Sequence, residues 1–301
     1  MGTPEFAVLS LKSLIESDND VVGVLTQPDK PKGRKYELSQ PPVKKLALEY
    51  SIPVFQPQKL KDESVMKIIS DLAPELIVVV AYGKILPLNI INFPKFGCVN
   101  VHASLLPKYR GAAPIQWSVI NGEKVTGVTT MYMDEGLDTG DILLKSQINI
   151  DENETSGELH DKLSKLGSEL IIKTIEEIKN NNLKRISQDN DKSCYAPMLN
   201  KDISIINWNK NAVEIHNLIR GLNPWPVAYT NYNGKKIKIY KSRLSDDKIG
   251  EPGEILSLNP FLVSCKDNSI IEILELQLEG KKRMLATDFL RGNRLKIGDK
   301  F

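Results

Sequence analysis

The sequence predicts an α/β protein: a doubly wound, mostly parallel sheet in the first two-thirds, then a small C-terminal β-barrel. Three observations carry this expectation. Up to residue 183, short apolar runs alternate with patterns of helical period, as in parallel sheets wound by crossover helices. After residue 203, one helical pattern is followed by several short strands separated by turn signals. Between them lies a polar, irregular stretch. The expected division is therefore a domain at 1–183, a linker at 184–203 and a second domain at 204–301. With 301 residues the chain is long enough for one or two sizeable cores.

Element by element, Thr3 and Pro4 suit an N-cap and a first helical position. Phe6, Leu9, Leu11, Leu14 and Ile15 approximate the apolar stripe of that first helix. Strands are expected at Val21–Thr26, Leu76–Ala81, Gly97–His102, Val125–Met133 and Ile142–Ile150. Helices are expected at Pro42–Tyr50, Glu63–Leu72 and Ser156–Lys179. In the C-terminal part a helix should span 208–222. Asn233-Gly234 marks a hairpin between Tyr229–Tyr232 and Lys236–Tyr240.

Composition is that of an ordinary globular protein, 41% hydrophobic and 26% charged. No apolar run reaches membrane-spanning length and no signal peptide is recognisable, so a cytoplasmic protein is expected. Cys98, Cys194 and Cys265 are far apart and form no Cys-x-x-Cys pair. Neither a disulfide framework nor a metal site is expected. The net charge of +2 is uneven: residues 201–301 hold 17 Lys and Arg against 12 Asp and Glu. A basic C-terminal third suits a polyanion, although such a balance is also common on solvated surfaces.

The most informative stretch is Gly97–Ile115. In a strand, Asn100 and His102 project from one face while Val99 and Val101 face the other. Ser104-Leu-Leu-Pro107 ends the strand, because Pro107 cannot donate to a ladder. An amide and an imidazole thus sit together at a strand's C-terminal end, where open α/β sheets bind ligands. They supply a hydrogen-bond donor and a group that moves protons near neutral pH, the equipment for polarising a carbonyl. Taken alone, Asn-x-His is more often a structural pair. Lys30-Pro-Lys-Gly-Arg-Lys35 concentrates four cations in six residues. It is expected to be a flexible basic loop and not a strand. His160 and His216 lie in helical patterns and read as structural or exposed.

The run Asn100-Val-His-Ala-Ser-Leu-Leu-Pro-Lys-Tyr-Arg-Gly-Ala-Ala-Pro114, with Asp134-Glu-Gly-Leu-Asp-Thr-Gly-Asp141, resembles the formyltransferases that use 10-formyltetrahydrofolate. Thr26-Gln-Pro-Asp-Lys-Pro31, Val79-Val-Ala-Tyr-Gly83, Tyr195-Ala-Pro197 and Asn223-Pro-Trp-Pro226 extend the likeness over nearly the whole chain, towards the branch acting on methionyl-tRNA. The resemblance implies a Rossmann-like catalytic domain and an OB-like C-terminal domain that binds tRNA. It implies formyl transfer to the α-amine of initiator methionyl-tRNA for translation initiation, with Asn100, His102 and Asp138 catalytic. It places the folate co-substrate at Ser104, Leu105, Leu106 and Pro107 and at Gly83, Lys84, Ile85 and Leu86. Ordinary packing would also account for these residues, above all for Leu106. It assigns tRNA contacts to Lys30, Lys32, Arg34 and Lys35, with Arg34 foremost. No metal, membrane or obligate protein partner is expected. Asp134, Glu135 and Asp141 are rival carboxylates that surface solvation also explains.

Two rival activities share these residues. One is formyl transfer to a small amine, such as glycinamide ribonucleotide or an amino sugar. The other is hydrolysis of the formyl folate. Neither needs a basic loop together with a basic second domain. One feature departs from the pattern: the chain opens Met1-Gly2 and enters a helix at once. A doubly wound domain normally begins with a strand, and the resemblance implies a short apolar strand ahead of Gly2. Such a strand is expected upstream of Met1.

Overall fold

The computed structural model describes residues 1–32, 37–246, 250–292 and 295–301. They form two compact units. One comprises Met1–Gly111, Thr126–Ile148 and His160–Tyr195. The other comprises Ala112–Val125, Asn149–Leu159 and Ala196–Phe301. The chain thus crosses between units several times, whereas the expected linker at 184–203 implied a single crossing. The segments 112–125 and 149–159 join the C-terminal unit because their partners lie there. The helix Pro114–Ile120 meets the helix Ala212–Gly221. The carbonyls of Asp151, Glu152 and Glu154 receive Arg220 and His216.

In the first unit, Ile77–Val79 pairs in parallel with Cys98–His102, which pairs antiparallel with Val125–Tyr132. Ile142–Asn149 completes this four-stranded sheet. Val24–Leu25 and Val54–Phe55 form a separate parallel pair. The helices Pro42–Glu49, Glu63–Leu72 and Ser156–Lys179 match the expected ones within a residue, while the first α-helix, Val8–Ile15, starts four residues later than the expected Pro4. Leu25, Val65, Ile69, Ile77, Val79, Leu86 and Ile90 lie in one buried cluster. Val101 faces the long helix at Gly167, where a β-carbon would come within 3.0 Å of its Cγ1. That close approach fixes which face of the Cys98–His102 strand is buried.

The N-terminus differs from expectation. Pro4, not Thr3, holds the N-cap position of a short 3₁₀ turn, Glu5–Ala7. The Thr3 hydroxyl instead donates to Tyr82 O and accepts from Gln27 N–H. Met1 and Gly2 occupy a strand position: Gly2 N–H donates to Leu25 O, Val80 N–H to Met1 O, and the Met1 amine to Val78 O at 2.6 Å. Beside them runs a cleft of about 470 Å³, lined mainly by apolar residues such as Val22, Leu72, Leu76, Ile77 and Ile175, with Asp18, Asp20, Glu75 and Lys179 also on its walls. The Met1 amine is buried, which lowers its pKa from 8.0 to about 6.

The second unit is built on an antiparallel sheet. Its strands run in the order Tyr229–Tyr232, Lys235–Ser245, Ile270–Leu278, Phe261–Ser264, Ile255–Leu258, with Met284–Leu285 beside Ile270–Leu278. The expected hairpin at Asn233-Gly234 is present. Register shifts between Ile239, Lys241 and Ser242 curl the sheet, because a bulge bends its strand and increases local twist. The sheet curls into an antiparallel half-barrel, in keeping with the small barrel-like second domain expected; among the described residues its strand path is open-ended. Ile237, Ile239, Val263, Ile271, Ile273 and Leu276 of the sheet lie in one buried cluster with Ile215 and Ile219 of the helix Ala212–Gly221. Asn211 and Glu214 form a capping box that starts this helix, which satisfies two otherwise orphaned N–H groups.

Candidate active site

The site lies wholly within the first unit. Val99 and Val101 are buried, and Asn100 and His102 share the opposite face of their strand. Beyond His102 the chain folds back on the neighbouring strand. Leu106 N–H donates to Thr129 Oγ1, whose hydroxyl donates to Ser104 O, and Ser104 Oγ donates to Lys108 O. This return brings the Tyr109 carbonyl within 2.9 Å of His102 Nε2. A carbonyl oxygen only accepts, so Nε2 carries the hydrogen. His102 Nδ1 is then the nitrogen free to take up a proton. It lies 3.6 Å from Asp138 Oδ2.

Asp138 sits between Val125–Tyr132 and Ile142–Asn149 in the loop 134–141, at φ +54°. Its Oδ2 accepts from Gly111 N–H at 2.8 Å and its Oδ1 from Asn100 Nδ2 at 3.4 Å. The loop is tightly tied. Asp134 Oδ1 accepts from Gly136 N–H and Thr139 Oγ1, and Asp141 Oδ1 accepts from Ser187 Oγ. A β-carbon at Gly140 would fall 1.9 Å from Tyr132 O, so only glycine fits. Of the rival carboxylates, Asp134 and Asp141 shape the loop and Glu135 is exposed. Asp138 is the one among the described residues that meets both Asn100 and His102.

The expected folate residues divide into two sets. Leu106 is fully buried with Met131 and Ile142, and Leu86 is buried in the larger cluster, so both serve packing. Ser104 is spent on Lys108 O, and Leu106–Pro107 is a cis peptide. Lys84 Nζ donates to the carbonyls of Pro57 and Gln58. Gly83 has φ +78°. Leu105 is half-buried and Ile85 is 87% exposed, which leaves these two with apolar surface to offer a ligand.

Lys30 and Lys32 do lie on a strand. Lys30–Lys32 pairs antiparallel with Glu37–Ser39 in a two-stranded ribbon, contrary to expectation. Pro31 is tolerated because an edge strand can leave its missing N–H side facing away from any neighbour. Arg34 and Lys35 lie outside the described residues. Sequence reasoning missed Tyr109, Gly111 and Gln188. The first two stood inside the informative run but offered only backbone groups. Gln188 stood in a segment that read as featureless. Among the described residues, no group of three or more His, Cys, Asp and Glu is arranged to hold a metal ion, and no helix is long and apolar enough to cross a membrane.

A doubly wound unit with a donor amide, an imidazole and a carboxylate at one strand end defines an enzyme equipped for transfer at a carbonyl carbon. Residues 1–175 match the Formyl transferase family and residues 198–294 the Formyl transferase C-terminal domain. The chain belongs to the formyl transferase family and is a formyltransferase. It is 53% identical to the methionyl-tRNA formyltransferase of Alkaliphilus oremlandii, over 99% of this chain and 97% of that one. It is 50% identical to that of Clostridioides difficile over the same shares. In structure it is similar to a sugar 3-N-formyltransferase solved in the presence of dTDP and 5-N-formyltetrahydrofolate. The TM-score is 0.70 and the identity 26%, covering 93% of this chain and 97% of that one. An N-formyltransferase from Helicobacter canadensis, in complex with folinic acid and dTDP-3-aminofucose, gives a TM-score of 0.67 at 25% identity. It covers 90% of this chain and 96% of that one.

Proposed function

We propose that this enzyme transfers the formyl group of 10-formyltetrahydrofolate to the α-amine of initiator methionyl-tRNA, in the cytoplasm, for translation initiation. The observation that carries the reading is the convergence of Asn100 and His102 on Asp138. It occurs in a chain half-identical, over nearly its full length, to enzymes bearing that name. The methionyl amine attacks the formyl carbon, a C–N bond forms, and negative charge gathers on the formyl oxygen. Asn100 Nδ2 donates to that oxygen; one such donor is typically worth about 3–4 kcal/mol. His102 Nδ1 takes the proton released by the amine and returns it to N10 as the bond from N10 to the formyl carbon breaks. Asp138 lies beside Nδ1 and holds both partners in register.

Leu105 and Ile85 supply apolar surface for the folate, in loops set by Ser104-Leu-Leu-Pro107 and Gly83-Lys-Ile-Leu86. Lys30, Lys32, Arg34 and Lys35 contact the tRNA, and the residues of 204–301 add to its grip. The sugar N-formyltransferases of similar fold keep the small-amine reading in view. The deciding experiment is transfer of radiolabelled formyl groups to charged initiator tRNA, to elongator methionyl-tRNA and to an amino sugar. Strong labelling of the initiator alone is expected. Labelling of the sugar alone, or release of formate without any acceptor, overturns the proposal.

A further inference from the structure

Gln188 uses its whole amide. Its Nε2 donates to Asp138 O at 2.9 Å and to Gly140 O at 2.7 Å. Its Oε1 accepts from Arg110 Nε at 3.0 Å and Nη2 at 2.8 Å. The orientation is unambiguous, because carbonyls only accept and a guanidinium only donates. A carboxylate at this position offers no donor to the two carbonyls, and an aliphatic side chain offers nothing to either side. Both sets of partners lead to Asp138. One is the backbone of the loop that carries Asp138. The other is Arg110, whose neighbour Gly111 donates its N–H to Asp138 Oδ2.

Asp138 needs such support. A non-glycine residue at φ +54° is strained and persists only where its surroundings over-determine it. The segment carrying Gln188 is itself anchored on both sides. Ile186 and Ile142 exchange two backbone hydrogen bonds, Ser187 holds Asp141, and Arg110 N–H donates to Cys194 O. Arg110 also donates to Asn190 Oδ1 at 2.9 Å, so two neutral amides hold its guanidinium. No carboxylate competes for it among the described residues.

We infer that Gln188 is a positioning residue for the formyl transfer, fixing Asp138 against Asn100 and His102 by binding its loop and Arg110 at once. The inference rests on the catalytic reading of Asp138 proposed above. Displacing a reacting group by about 1 Å can cost roughly 100-fold in rate without altering how substrates bind. Gln188→Leu should therefore lower kcat roughly 10- to 100-fold and leave KM for folate and tRNA within about threefold.

The test is steady-state formylation by wild type, Gln188→Leu, Gln188→Glu, Asp138→Ala and the Asp138→Ala/Gln188→Leu pair, each checked by thermal melting. Gln188→Glu keeps an acceptor for Arg110 and loses both donors, so its kcat should also fall. It carries the test if the leucine variant does not fold. The double variant should be no slower than Asp138→Ala alone, since residues acting through one group are not additive. If Asp138→Ala is inactive while Gln188→Leu keeps wild-type kcat, the positioning role fails and the catalytic reading stands. Near-wild-type turnover in Asp138→Ala removes both. Additive losses, or a wild-type rate in Gln188→Glu, place any effect of Gln188 outside Asp138 and overturn the inference.

Discussion

His102 meets a carbonyl at one nitrogen and a carboxylate at the other, so its two ring positions have different work. Tyr109 fixes the tautomer, and in the proposed reaction the nitrogen facing Asp138 moves the proton. His102→Ala should therefore lower kcat roughly 10²- to 10⁴-fold and Asn100→Ala roughly 10²- to 10³-fold, with little change in tRNA affinity. Single-turnover formylation separates the two quantities; turnover above about a tenth of wild type in either variant refutes that residue's role. His216 gives a different kind of prediction. It is buried, with Nδ1 near Ser242 Oγ and Nε2 near Glu152 O, and burial lowers its pKa below the ordinary 6.5. The unfolded chain then takes up a proton before the folded one does. Stability is complete above about pH 6.5 and is lost as pH falls below it. Tm measured from pH 8 to 5 should fall less steeply in His216→Gln than in wild type; parallel curves refute the assignment. At this scale much was legible. The shared strand face of Asn100 and His102 follows from their spacing of two, whereas their proposed roles come from the resemblance of the surrounding run and not from the spacing. Gln188 was not legible, because a lone glutamine in polar sequence carries no periodicity, and its importance lies in groups 48 and 78 residues away.

Among the elements, long periodic segments were read well and chain-crossing ones poorly. The helix Ser156–Lys179 repeats its apolar stripe often enough to be plain, and the strand Cys98–His102 was found within a residue. The stretch 187–195 was read as linker because its polar side chains look solvated. Two of them, Ser187 and Gln188, instead satisfy a side chain and two carbonyls of the Asp138 loop. The cleft beside Met1 tests the expectation of an upstream strand. Its walls are mostly apolar, and Met1 and Gly2 already pair on both sides, with Leu25 and with Val78–Val80. An added extension of about five apolar residues should continue that pairing. Burying even one Val or Ile side chain contributes roughly 1.5–3 kcal/mol. The pH dependence gives a second readout. An amine with its pKa lowered from 8.0 to about 6 binds fewer protons folded than unfolded across that window. With Met1 first, stability should thus rise between pH 6 and 8, by a few kcal/mol at most. The extension should raise Tm and abolish that rise. An extended chain no more stable, with the rise intact, refutes the strand.

For the whole molecule, the interleaving of the two units limits how tRNA binding can be tested. Cutting the chain near residue 200 would strip 112–125 and 149–159 of the helix Ala212–Gly221 and its neighbours, so loss of binding in such a fragment would report misfolding. Surface substitutions avoid this. Lys235, Lys241, Lys281 and Lys282 of the second unit are exposed and pair with no carboxylate among the described residues. Their charge is therefore available to phosphates. Each phosphate contact releases counterions, so log affinity should fall linearly with log salt, by roughly 0.7 to 0.9 per contact. Replacing all four lysines by alanine should flatten that slope by up to about 3 and weaken binding chiefly at low salt. In the first unit, Arg34→Ala should weaken binding more than Lys32→Ala, because guanidinium pairs bidentately and stacks where an ammonium offers a point charge. The measurement is initiator-tRNA affinity against salt concentration for wild type, the quadruple variant and each single variant. A salt response already flat in wild type, or unchanged in every variant, removes the polyanion from this reading and leaves formyl transfer to a small amine.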